Sequence, residues 1–100
     1  MDLDFKWDPN KEQINIKKHG ITFSTAMNVF YDEHRLVYFD SDNSLFNEDR
    51  YQVIGMVKKR LIILFVAYTI RLGSYRIISA RRATKAEEKR YYANYEKTGS

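Results

Sequence analysis

Leu61-Ile62-Ile63-Leu64-Phe65-Val66-Ala67 is an unbroken apolar run. It is too short to cross a bilayer and apolar on both faces, so it reads as the central strand of a sheet that is covered on both sides. Working outward, Tyr51 to Met56 and Tyr75 to Ala80 carry strand signals on either side of it. The links Val57 to Arg60 and Thr69 to Ser74 are short enough for hairpins, which makes the three strands antiparallel neighbours. Arg35 to Asp40 supplies a further strand, and the polar stretch Ser41 to Asp49 is a loop.

The flanks read as helices. Leu3 to Trp7 alternates apolar and charged residues, a short strand with Leu3, Phe5 and Trp7 on one face. Asp8 is then a good N-cap and Pro9 suits the first helical position, so a helix runs from Pro9 to about His19 and stops at Gly20. Ser24 opens a second helix whose buried stripe is Phe23, Ala26, Met27 and Phe30. Thr84 with Glu87 three residues on forms a capping box at the start of a C-terminal helix, where Tyr91 and Tyr95 pack toward the sheet. The expected fold is α+β in the order β-α-α-β-β-β-β-α, an antiparallel sheet with two N-terminal helices and one C-terminal helix, forming one domain over residues 1–100.

Charge is segregated along the chain. Residues 1–50 hold six Lys+Arg against ten Asp+Glu, while residues 51–100 hold eleven against three. The basic residues of the second half fall inside strand and helix signals, and a cationic side of this kind suits a polyanion such as nucleic acid. There is no cysteine, which removes disulfides and thiolate chemistry. The acidic start Met1-Asp2-Leu3-Asp4 does not resemble a signal peptide, so the chain reads as soluble and cytoplasmic, with no membrane partner.

The sequence has no phosphate-binding Gly-rich loop, no nucleophile elbow and no paired histidines at metal spacing. What remains is a set of cations, His19 at a helix end and the loop carboxylate Glu48. Such parts suit metal-free cleavage of RNA, in which a base, an acid and donors aimed at the charged phosphorus are needed. Arg50, Arg76 and Arg81 are the candidates for phosphate binding and transition-state charge, with His19 and Glu48 as acid or base and Lys18, Arg71 and Arg82 holding substrate. Strict alternation places Arg76 with Ile78 and Ala80, and Arg81 with Tyr75, Ile77 and Ser79, so only one of the two faces a common groove from within the strand. A cross-strand ion pair with Glu48 or Asp49 is the structural alternative for Arg76. His34, beside Asp32 and Glu33, reads as a solvated turn residue, and Asp40 with Asp42 as solvated loop acids rather than metal ligands.

Phe5-Lys6-Trp7-Asp8-Pro9-Asn10-Lys11, then Asn15 and Lys17-Lys18-His19-Gly20-Ile21-Thr22-Phe23, resembles the N-terminal signature of the BrnT toxin family. Glu48-Asp49-Arg50, Ile54-Gly55, Arg60-Leu61-Ile62, Thr69-Ile70-Arg71 and Arg76 through Thr84 into Glu87 continue the resemblance in order and spacing. It implies a RelE-like fold and a ribonuclease toxin of a type II toxin-antitoxin pair, without a cofactor. It also implies a ribbon-helix-helix, BrnA-like antitoxin partner through which the complex meets operator DNA. One position departs: the family loop often reads Asp-His-Ser, and here it is Asp42-Asn43-Ser44.

Overall fold

The computed structural model describes residues 3–42, 44 and 48–98. Strand β1 (Phe5–Lys6) leads into helix α1 (Pro9–His19), then α2 (Phe23–Met27) and a 3₁₀ turn (Asn28–Tyr31). Strands β2 (Leu36–Phe39), β3 (Arg50–Val57), β4 (Ile62–Arg71) and β5 (Ser74–Arg82) follow, and α3 (Lys85–Thr98) ends the chain. The class and element order are those expected from the sequence. The sheet runs β1-β5-β4-β3-β2, with β4 in its centre as the apolar run required. Strands β2 to β5 are antiparallel, whereas β1 joins the edge of β5 in parallel.

Helix α1 has the ends its sequence prescribes. The Asp8 side chain accepts from Asn10 N–H at 2.8 Å, and Gly20 closes the helix in the left-handed region at φ 71°. The second helix begins earlier than expected. Thr22, not Ser24, is its cap, because Thr22 Oγ1 accepts from Thr25 N–H at 3.1 Å. The β4–β5 link is also tighter, since β4 continues through Thr69 to Arg71. The turn is Leu72-Gly73, with φ of 49° and 80°, the doubly positive pattern that matches strand twist in a two-residue hairpin. Asn43 and the rest of the loop between 45 and 47 lie outside the described residues.

The two sheet faces carry different layers. Val53, Val57, Leu64, Val66, Tyr68, Ile77 and Ala80 pack with Ile21, Phe23, Ala26, Val29 and Phe30 beneath the α1/α2 layer. On the other face Ile54, Ile63 and Tyr91 form a second cluster with Leu36, Tyr38, Met56, Phe65 and Ala83, so α3 covers one end of that face. It is fixed there by Asp32, a fully buried carboxylate that accepts from Tyr91 Oη at 2.6 Å, Met56 N–H at 2.8 Å and His34 N–H at 2.9 Å. Burial and the bond to Asp32 raise the Tyr91 phenol well above its ordinary range, so the hydroxyl stays a donor.

Strict alternation fails in β5. Ser79 pairs with Ala67 but Ile77 pairs with Tyr68, so Ile78 is an extra residue and the strand bulges there. Ile77 and Ala80, three apart, both enter the α1/α2 core. Beyond β1, the outer edge of β5 is met by Asn15 of α1. Its Nδ2 donates to Ala80 O and Ile21 O, both at 2.9 Å, and its Oδ1 accepts from Ala80 N–H at 3.0 Å. A side-chain amide thus replaces a strand neighbour. Asn15→Ala orphans three buried backbone groups and is expected to lower stability by about 3 kcal/mol, as read from urea unfolding.

Candidate functional site

The bulge at Ile78 resets the faces of β5 and brings the two strand arginines to the same side. Arg76 pairs with Thr69, and Arg81 with Phe65, both on the face that α3 only half covers. The expectation that one strand could offer only one of them to a common groove is therefore corrected. The remaining half of this face carries a cross-strand row of cations. Lys6 of β1 stands beside Arg76 of β5, which stands beside Thr69 of β4, which stands beside Arg50 of β3. At a strand spacing of about 4.8 Å the row spans roughly 14 Å.

Two kinds of cation occupy this face. Arg81 is committed internally: its fork donates to both Glu87 oxygens at 2.9 and 3.0 Å, and its guanidinium lies 4.1 Å over the Phe65 ring. Glu87 completes the capping box, accepting from Thr84 N–H at 2.8 Å while donating its own N–H to Thr84 Oγ1 at 3.2 Å. Burial pushes the Glu87 carboxyl up, but the bonds from Arg81 and Thr84 and the Arg81 charge outweigh it and hold the group below the usual carboxylate range. Arg71 is likewise engaged, with Nε 2.7 Å from Glu48 Oε2 and its terminal nitrogen on the same oxygen. Glu48 is thereby taken by Arg71 and is not the partner of Arg76.

Lys6, Arg50 and Arg76 have no ion pair or side-chain hydrogen bond among the described residues. Lys6, Arg71 and Arg76 line a cleft of about 230 Å³ with Leu72 and Ser74. Ser74 Oγ donates to the Asp4 carboxylate. The row thus presents cationic donors carried on adjacent strands, beside this cleft.

The other candidate residues stand apart. Lys18 and His19 open on a separate cleft of about 360 Å³ shared with Lys11, Ile14, Asn15, Ile78 and Ser79. Ser79 links the two regions, since it lies on the same sheet face as Arg76. Arg82, opposite Leu64, falls on the α1/α2 side. His34 is not the solvated turn residue expected: its ring lies 4.0 Å from the Tyr95 ring and its side chain is 13% exposed. Among the described residues, no three His, Asp or Glu side chains gather at a possible metal site. Lys6 was absent from the sequence candidates, although its place between Phe5 and Trp7 already put it on the face opposite the apolar residues.

The family model for the ribonuclease toxin BrnT of type II toxin-antitoxin systems matches residues 7–87, and the chain belongs to that family. No curated protein matches it. No helix among the described residues is long and apolar enough to cross a membrane.

The Arg81–Glu87 clamp gives a signed pH dependence. Because the Glu87 carboxyl is depressed in the folded state, its contribution is present above the unfolded value of about 4.3 and is lost as pH falls through the folded one. Arg81→Ala should cost about 2 kcal/mol at neutral pH. In thermal melts between pH 7 and pH 3 it should also flatten the acid loss of stability that the wild type displays.

Proposed function

We propose that the chain is a metal-independent endoribonuclease that cuts RNA on the open half of its sheet and so inhibits translation in the cytoplasm. The observation that carries this reading is the row of unpaired cations Lys6, Arg76 and Arg50 at one register level. In the proposed reaction the 2′-hydroxyl attacks the adjacent phosphorus and gives its proton to Glu48, whose position Arg71 fixes. The bond from phosphorus to the 5′-oxygen breaks, the departing oxygen takes a proton from water, and a 2′,3′-cyclic phosphate remains. Arg50 and Arg76 seat the non-bridging oxygens and meet the charge that builds on them, with Lys6 beside them. Arg81 acts as a positioning residue, tying the end of β5 to α3. Lys18 and His19, across Ser79, hold the flanking nucleotide, with Arg71 at the end of the surface; Arg82 stands on the other side of the sheet and takes no part.

Neutralisation follows from the same surface. A ribbon-helix-helix, BrnA-like antitoxin that lays an acidic segment over the cationic row would exclude RNA, and the complex would reach operator DNA through the antitoxin. A second reading, a catalytically weak module acting in operon repression, draws support from one feature. Neither His19 nor His34 stands on the cationic row.

The purified chain in excess EDTA is expected to cut single-stranded RNA, leave cyclic-phosphate ends and spare matching DNA. A single 2′-deoxynucleotide should block cutting at that position only, because the nucleophile is missing while the phosphate remains. Arg76→Ala should lower kcat by about 10²-fold, and His19→Ala should raise KM while leaving kcat within about threefold. Cutting that EDTA abolishes and magnesium restores would overturn the metal-free mechanism. Intact binding with no cutting, ribosomes supplied, would favour the repression module.

A further inference from the structure

Thr69 is fully buried, lies between Arg76 and Arg50 in the cationic row, and its Oγ1 has no hydrogen-bond partner. The Nε of Arg50, its cross-strand neighbour, is also buried and unpartnered. These are the two orphaned buried side-chain polar atoms among the described residues, and they sit side by side on adjacent strands. Folded proteins pair nearly all such atoms, so two orphans at one point call for an explanation.

Folding supplies none. Valine has the shape of threonine, is at least as favourable in a central strand and leaves no hydroxyl to satisfy. A threonine kept dry and unbonded there lowers stability relative to that isostere. Its immediate neighbours across the strands are arginines free of internal partners, whose long side chains move at little cost.

We propose that the Thr69 hydroxyl is a phosphate-contacting group of the RNA site, a role that rests on the ribonuclease reading above. As Arg50 and Arg76 turn their guanidinium groups onto a bound phosphate, they uncover the strand beneath them. Thr69 Oγ1 then donates to a non-bridging oxygen, and Arg50 Nε donates to the same group. The ligand completes a hydrogen-bond set that the free protein leaves open. Thr69 belongs to the floor of the seat, and the arginines form its walls.

Thr69→Val and Thr69→Ser test this in the full chain. The probe is a short 2′-O-methyl oligoribonucleotide, which binds as RNA and cannot be cut, read by fluorescence anisotropy alongside thermal melting and kcat/KM on cleavable RNA. Thr69→Val should melt at or above the wild-type temperature yet lose about tenfold or more in affinity, and Thr69→Ser should restore it. Wild-type affinity in Thr69→Val would overturn the proposal. So would a Thr69→Val melting temperature well below wild type with Thr69→Ser unchanged, since the hydroxyl would then be bonded within the fold. Because binding is read apart from cutting, a wild type that binds the probe but cleaves nothing would sink the ribonuclease reading and leave the Thr69 comparison decisive. A probe that binds neither wild type nor variants would overturn both.

Discussion

The side-chain amide of Asn15, buried between α1 and the outer edge of β5, does the work of a missing strand. Its carbonyl and amino groups bond the N–H and C=O of Ala80, and the remaining donor proton reaches Ile21 at the start of the α2 approach. This holds Ala80 in the α1/α2 core, where Ile77 also points, and two core-facing residues three apart are compatible only with a bulge between them. Everything on the opposite face follows from that extra residue. With it, Arg76, Ser79 and Arg81 share one side; under strict alternation, Arg76 and Arg81 would be divided.

Once assembled, the face sorts its cations by what surrounds them. At the end covered by α3, Arg81 is gripped by Glu87 and lies on Phe65, while Asp32 and Tyr91 pin the helix across β3. At the open end, Arg71 takes Glu48, and Arg76 and Arg50 have no ion pair among the described residues. Lys6, Arg76 and Arg50 thus stand together on the open half of the face. The strands fix where these cations are rooted, and side chains with no internal partner among the described residues can turn from those roots at little cost.

Much of this architecture was legible in the sequence. The apolar run at Leu61 to Ala67 placed the central strand, Asp8-Pro9 and Gly20 bounded α1, and the Thr84/Glu87 pair started α3. Each of these signals is local, and local signals survive in a single sequence. The bulge was not legible, because Ile78 fits an alternating pattern as well as an inserted one, and only the pairing with β4 decides between them. That one residue reversed the reading of Arg76 and Arg81. Thr69 was missed for a related reason: placing the hairpin link at Thr69 to Ser74 removed it from the strand, whereas Leu72-Gly73 alone makes the turn. Arg81 looked like a free donor because its partner, Glu87, had already been assigned to the helix cap, and its carboxylate serves both.

The central claim is that the scissile phosphate rests on the open sheet face, between Arg50 and Arg76 and over Thr69. A crystal structure of the chain with a non-cleavable ribodinucleotide bearing one 2′-O-methyl group tests it most directly. The account predicts the phosphate within hydrogen-bonding distance of both guanidinium groups, with the flanking nucleotide extending past Ser79 toward His19. A phosphate found instead in the cleft of Lys18 and His19, with Arg50 and Arg76 left empty, would contradict it.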